Sequence, residues 1–174
     1  MDRRKKKKSR APRSDKGAST PPFKEAEATR RLSERIECTP LAGLTAAHLM
    51  EKEVRSSPAD ASAYDLAKEM TRGNFGSIPI VDGRGSLIGI VSEFDLLEAV
   101  ISGMDLKNLR AKEVMKHPFS AFEKANAASV LRFLQKNHLI HVPVTDGEGK
   151  VIGIVARRDL LNACIEGEED STER

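Results

Sequence analysis

The sequence contains no apolar run approaching the roughly 18 to 20 residues of a membrane-spanning helix. No apolar core follows its N-terminal charges as in a secretory leader. No membrane association is therefore expected, and the chain reads as cytoplasmic. Cysteine is scarce: Cys38 and Cys164 lie far apart, form no Cys-x-x-Cys pair, and read as free thiols. Aromatics are scarce as well, with no tryptophan, one tyrosine and six phenylalanines in 174 residues. A Walker phosphate loop is missing, and the two Gly-x-Gly stretches at 83–85 and 147–149 read as hairpin turns. Nothing resembles a nucleophile paired with a base, so no catalytic residue is assigned and an enzyme is not expected. His138 and His141 form His-x-x-His, but no Cys or carboxylate follows at ligand spacing, so no metal site is assigned.

Charge is present in quantity but unevenly placed. The formal net charge is +3. Residues 1–22 carry nine Lys/Arg against Asp2 and Asp15, a local charge of +7, while residues 165–174 sum to −4 and the 121 residues between 44 and 164 sum to zero. The basic head has almost no apolar side chains to offset the entropy of ordering, so it reads as disordered. Residues 23–37 have helix-forming composition with a thin apolar stripe (Phe23, Leu32, Ile36), either a short helix or a linker. The body's ligand cannot be inferred from the overall basicity.

From about residue 44 the chain repeats itself. Shifted by 64 positions, residues 77–100 fall on 141–164 with 12 of 24 identical and no gap. Upstream, Ala63, Leu66, Ala67 and Met70 form one helical stripe, matched at the same offset by Ala127, Val130, Leu131 and Leu134. Gly73 and Asn137 follow as candidate left-handed helix ends. Each unit reads as a short strand (Val54–Ser56; Phe119–Ala121), an amphipathic helix, a Pro-containing strand (Ser77–Val81; His141–Thr145), a four-residue turn, a second strand (Leu87–Val91; Val151–Val155) and a closing helix from Ser92 or Ala156. The predicted fold is α/β (α+β), two β-α-β-β-α repeats packed as a pseudo-twofold pair. Units of about 60 residues are marginal alone, so the copies are expected to share an apolar sheet face. The expected divisions are 1–43 (basic disordered tail and linker or short helix), 44–106, 107–166, and an acidic tail 167–174.

These residues resemble the cystathionine-β-synthase (CBS) domain in tandem. The match rests on Gly-Ser-Ile-Pro-Ile-Val-Asp and Leu-Ile-Gly-Ile-Val-Ser-Glu-Phe-Asp-Leu-Leu at 76–97. It recurs as His-Val-Pro-Val-Thr-Asp and Val-Ile-Gly-Ile-Val-Ala-Arg-Arg-Asp-Leu-Leu at 141–161, and Leu49-Met50 and Val114-Met115 resemble the opening of each family repeat. The resemblance covers about 44–165, roughly 70% of the chain. It implies a stand-alone, non-catalytic regulatory module that needs no cofactor. Such a module binds an adenosine-containing ligand (AMP, ADP or ATP, or S-adenosylmethionine or NAD) between the repeats, modulates an unidentified partner protein and pairs as a homodimer. The family fingerprint maps onto Gly89, Ser92 and Asp95, and onto Gly153 and Asp159, with Ala156 where the hydroxyl belongs. The hydroxyl would face phosphate and each Asp the ribose hydroxyls. Ile78, Pro79, Val142 and Pro143 would line the base pocket.

The residues allow plainer readings too. Ser92-x-x-Asp95 is also a capping box. Ala156 has no hydroxyl to cap with, so reciprocal capping does not account for Asp159. Arg157 and Arg158 occupy a helix's first turn, where the dipole disfavours cations. An anion met jointly explains them, as do solvated surface arginines. His141 would flank a base or merely start a strand. A competing reading treats residues 3–16 as a nonspecific nucleic-acid-binding arm, with steep salt dependence, on a dimerising body.

Overall fold

The computed structural model describes residues 41–172, with side chains through 166. The basic head and the 23–37 segment lie outside the described residues. The elements are α1 (Ala46–Leu49), β1 (Ser57–Pro58), α2 (Ala63–Gly73), β2 (Ser77–Val81), β3 (Leu87–Ser92), α3 (Glu93–Ile101), α4 (Ala111–Val114), β4 (Ala121–Phe122), α5 (Ala127–Lys136), β5 (His141–Thr145), β6 (Val151–Ala156) and α6 (Arg157–Thr172). They form two three-stranded sheets, ordered β1-β2-β3 and β4-β5-β6. In each, the short first strand runs parallel to the middle one and the hairpin partner antiparallel. Pro79 and Pro143 sit in middle strands without disrupting them. The two-residue strands β1 and β4 pair only with Ile80–Val81 and Val144–Thr145, so the prolines lie where that edge has no ladder partner.

The expected helical stripes are buried: Ala63, Leu66 and Met70 on α2, Ala127, Val130 and Leu134 on α5. Three expectations are corrected. The residues with positive φ are Asn74 and His138, one place beyond Gly73 and Asn137. Gly73 is the last helical residue of α2 instead. The first strand of each repeat begins later than Val54 and Phe119. Residues 51–55 run to the second repeat, where Glu51 and Ile154 exchange backbone hydrogen bonds of 2.9 and 3.0 Å, and Phe119 packs edge-on against Phe133. Finally, the buried side chains form two clusters, one per sheet, not one shared face.

The two halves are joined by exchange of their opening segments. Leu41, Leu44, Ala46, Leu49 and Met50 pack into the second cluster, while Leu106, Leu109, Ala111, Val114 and Met115 pack into the first. The backbone follows suit: Ala46 N–H donates to Ala125 and Ala47 to Glu123, as Ala111 donates to Ala61 and Lys112 to Ala59. Each exchanged methionine covers a glycine in the other half's strand. A Cβ on Gly153 would lie 2.3 Å from Met50 Sδ, and one on Gly89 would lie 2.4 Å from Met115 Sδ.

The hairpin turns complete the pseudo-twofold. Asp82 Oδ1 accepts from the N–H groups of Arg84 and Ser86, and Asp146 Oδ1 from those of Glu148 and Lys150. Those backbone donors hold the Asp82 carboxyl below its ordinary pKa. Gly85 and Gly149 supply the positive φ that each turn requires. The turns then meet: Leu87 N–H donates to Gly149 O at 3.0 Å, and Val151 N–H to Gly85 O at 3.3 Å.

Candidate functional site

The exchange brings residues 51–55 against the second hairpin and creates a cleft of about 320 Å³. From the first half come Glu51, Glu53, Val54 and Arg55, and the α2–β2 turn with the start of β2 (Asn74, Phe75, Gly76, Ser77). From the second half come Ile140, His141, Ile154, Ala156, Arg158 and Asp159. The walls therefore combine apolar surface with three basic and three acidic side chains.

Asp159 is half-buried at the start of α6, where its Oδ2 accepts the Ala156 N–H at 2.7 Å. This corrects the expectation that capping leaves Asp159 unexplained, because one half of the capping box needs only the carboxylate. Its other oxygen has no hydrogen bond among the described residues, and Asp159 lines the cleft. Arg158 is exposed on the cleft and makes no hydrogen bond to another described residue. Arg157 is placed differently: its Nε donates to the Leu139 carbonyl at 2.7 Å, so it ties α6 to the start of β5 and is absent from the cleft lining. The two arginines thus do not converge on one anion.

His141 lies in the wall beside Gly76, so close that a Cβ on Gly76 would meet its Cε1 at 2.6 Å. Burial lowers the imidazole pKa below the ordinary 6.5, and Arg158 and Arg157 lower it further. Asp159 and Glu93 pull the other way. Ile78, Pro79, Val142 and Pro143 are fully buried, with no side-chain surface left for a ligand. They are covered on both faces because β2 and β5 are the middle strands, and the strand residues that line the cleft are their predecessors, Ser77 and His141.

The equivalent position in the first half differs. Asp95 is buried, and its Oδ2 accepts from Ser92 N–H (2.8 Å) and from Ser92 Oγ (2.5 Å), a complete capping box. Lys116 Nζ stands 3.8 Å from Asp95 Oδ1 and 3.2 Å from Glu98 Oε2. Glu98 and Asp95 raise the Lys116 pKa, the Glu98 hydrogen bond most strongly. Lys116 pairs with Ile90 as Glu51 pairs with Ile154. The two halves thus place a cation beside Asp95 and an acid on the strand that lines the Asp159 cleft.

Residues 51–55, Phe75, Ser77 and Ile140 were not singled out in the sequence. Residues 51–53 fall between recognisable elements and Val54–Arg55 read as the start of a strand of their own repeat, so only the exchange carries them to the other one. Among the described residues no group of three or more His, Cys, Asp or Glu could hold a metal ion, and no helix is long and apolar enough to cross a membrane.

Comparison with known proteins agrees with this geometry. A CBS-domain family model matches residues 46–102 and 111–166. An uncharacterized 17.7 kDa protein of Acidianus ambivalens is 30% identical over 102 residues, 59% of this chain and 62% of that protein. The chain thus spans less than two thirds of that relative's length. Among solved structures, the CBS domain pair of protein MJ0100, in complex with 5′-methylthioadenosine and S-adenosyl-L-methionine, superposes with a TM-score of 0.63 at 26% identity, over 68% of this chain and 98% of its own. CBSX2 of Arabidopsis thaliana in complex with AMP gives 0.63 at 24% identity, over 72% and 99%. Two matched repeats, their exchanged openings and the cleft between them together establish that the chain belongs to the CBS domain family, as a tandem pair.

Proposed function

We propose that the chain is a non-catalytic regulatory module that binds an adenine nucleotide in the Asp159 cleft and transmits its occupancy to a partner protein. The observation that carries this reading is the Asp159 carboxylate, held rigidly by the Ala156 N–H yet keeping one oxygen for the cleft. A carboxylate so placed can accept two adjacent ribose hydroxyls, Arg158 can meet phosphate, and Val54, Phe75, Ile140 and Ile154 offer apolar surface to a base. The solved CBS pairs carrying AMP or S-adenosyl-L-methionine support the ligand class. Ligand that binds one arrangement of the exchanged halves more tightly than another shifts their population, and this is the regulatory signal. Titration calorimetry with AMP, ADP, ATP, S-adenosylmethionine and NADH is expected to show saturable binding of at least one. Silence from all five at millimolar concentration refutes the proposal.

Stability is also expected to be pH-linked through His141. Its folded-state pKa is lowered, so the unfolded chain takes up this proton first as pH falls. The stability tied to neutral His141 is therefore intact above the unfolded value of 6.5 and is lost as pH falls through the folded value. The melting temperature of the unliganded protein should drop between pH 7.5 and 5. His141→Asn should flatten that drop, and an equal drop in the variant would rule out His141 as its source.

The closing helices supply a homodimer surface. Phe94, Leu97, Val100 and Ile101 on α3 and Leu161 and Ile165 on α6 are exposed, with Ile101 at 86%. Six exposed large apolar side chains on the two closing helices exceed what a lone module needs. Leu97→Glu with Ile101→Glu is expected to convert a dimer into a monomer in sedimentation velocity, whereas an unchanged sedimentation coefficient would exclude this surface.

A further inference from the structure

The two exchanged segments carry opposite charges at the same place. One residue beyond each exchanged methionine stands Glu51 in one segment and Lys116 in the other. Each pairs with the strand residue that follows the covered glycine, Glu51 with Ile154 and Lys116 with Ile90. The pseudo-twofold thus aligns Glu51 with Lys116 as it aligns Asp159 with Asp95. Lys116 Nζ stands 3.8 Å from Asp95 Oδ1 and 3.2 Å from Glu98 Oε2. Ser92 N–H and Oγ donate to the other oxygen of Asp95, so both oxygens are engaged, and the residue is only 7% exposed. In the other half the residue aligned with Lys116 is an acid, and Asn162 stands where Glu98 would be. Among the described residues no cation forms an ion pair with Asp159. An exposed ion pair such as that of Lys116 adds little to stability, yet it decides whether a carboxylate has an oxygen to spare.

We infer that Glu51 and Lys116 select which half takes ligand. Lys116 is a built-in cation that occupies Asp95, while Glu51 leaves Asp159 unanswered, so the chain binds one adenosine compound and binds it at Asp159. This inference rests on the reading of the Asp159 cleft as an adenosine-compound site, and adds to it the stoichiometry and the residues that set it. Both are positioning residues that act through the aspartates. A ligand entering at Asp95 would first have to displace the Lys116 ammonium, which Glu98 also holds. At Asp159 nothing comparable has to leave, and the acid on the neighbouring segment disfavours any side-chain cation that would take its place.

Charge alone and the selector predict opposite signs for one substitution. Glu51→Lys makes the cleft more positive, which by itself would strengthen binding of the anionic AMP. If the introduced ammonium pairs with Asp159, as Lys116 does with Asp95, AMP binding instead weakens by about tenfold, the loss of one charged hydrogen bond. Glu53→Lys makes the same charge change in the same cleft, away from the position aligned with Lys116, and should tighten AMP binding. Titration calorimetry with AMP should show one site per chain in the wild type and two in Lys116→Ala. A crystal structure of unliganded Glu51→Lys supplies a readout that needs no ligand, with the introduced Nζ expected within about 4 Å of Asp159. Two AMP per wild-type chain, tighter AMP binding by Glu51→Lys, a single site in Lys116→Ala, or an introduced Nζ turned away from Asp159 overturns the selector while leaving the adenosine reading in place. Weaker binding in Glu53→Lys as well as in Glu51→Lys overturns it too, by making the loss common to any charge reversal in the cleft. If the wild-type protein binds no AMP or other adenosine compound, the adenosine reading itself fails, and the selector with it.

Discussion

Replacing Asp159 by asparagine should abolish most of the nucleotide affinity while leaving the fold as stable as before. Asparagine retains an oxygen for the Ala156 N–H, so the start of α6 remains capped. It loses the charge and the second acceptor oxygen, so one of the two ribose hydroxyls would face an amide N–H₂ donor. Hydrogen bonds to charged groups contribute about 1.5 to 3 kcal/mol each, so a weakening of roughly tenfold to a hundredfold is expected. Asp159→Ala should weaken binding similarly and, in addition, lower stability by about 0.5 to 2 kcal/mol through loss of the cap. Calorimetry read beside thermal melting separates the two roles. If Asp159→Asn binds as wild type does, the carboxylate serves the helix alone. Asp95→Asn should matter less to binding, because Asp95 is already taken up by Ser92 and faced by Lys116.

Gly153→Ala should cost more stability than the equivalent change in the first half, Gly89→Ala. The new Cβ would lie 2.3, 2.6 and 2.9 Å from Met50 Sδ, Cγ and Cβ, so the clash reaches the stem of that side chain and cannot be relieved by moving its tip alone. Overpacking of this kind costs about 1 to 3 kcal/mol, and each kcal/mol corresponds to a melting-temperature change of about 2 to 8 °C. Because Met50 belongs to the exchanged segment, the strain falls on the junction between the halves. Adding Met50→Ala to Gly153→Ala should recover part of the loss, so the two substitutions should be strongly non-additive. Strict additivity in thermal melts would show that the two sites do not touch. Gly89→Ala should cost less, since Met115 Cγ and Cβ stand back at 3.0 and 3.1 Å.

The repeat, its strand and helix order and the family were readable in the residues because they are written in local patterns. Twelve identities in register, the helical stripes through Met70 and Leu134, and the Asp-Gly-x-Gly turns all depend on neighbours in sequence. Long-range placement was not readable. Nothing local in Leu49-Met50 says that it packs on the far repeat, so Gly89 and Gly153 stand in the sequence only as fingerprint glycines, when each is the seat of a methionine from the other half. The same exchange hid Glu51, Glu53, Val54 and Arg55, which reach the cleft only by crossing over. Arg157 and Arg158 are adjacent and alike in sequence, yet one bonds Leu139 and the other faces the cleft, a difference that follows from the 100° turn between successive helical residues. The family resemblance implies that Ile78, Pro79, Val142 and Pro143 line the base pocket, and it is the middle-strand position of β2 and β5 that buries them.

The cleft's asymmetry bears on regulation. One half presents an Asp with a free oxygen beside Arg158 and His141, and the other an Asp already answered by Ser92 and Lys116. A ligand that favours the first site joins residues 51–55 and the Ser77 turn to the start of α6, and so couples the two halves directly. The measurement that bears on this most directly is a crystal structure of the protein grown with AMP. It should place the ribose hydroxyls within hydrogen-bonding distance of Asp159, the phosphate at Arg158 and the base against Phe75 and Ile140. AMP bound away from this cleft, or crystals without AMP at millimolar ligand, would contradict it.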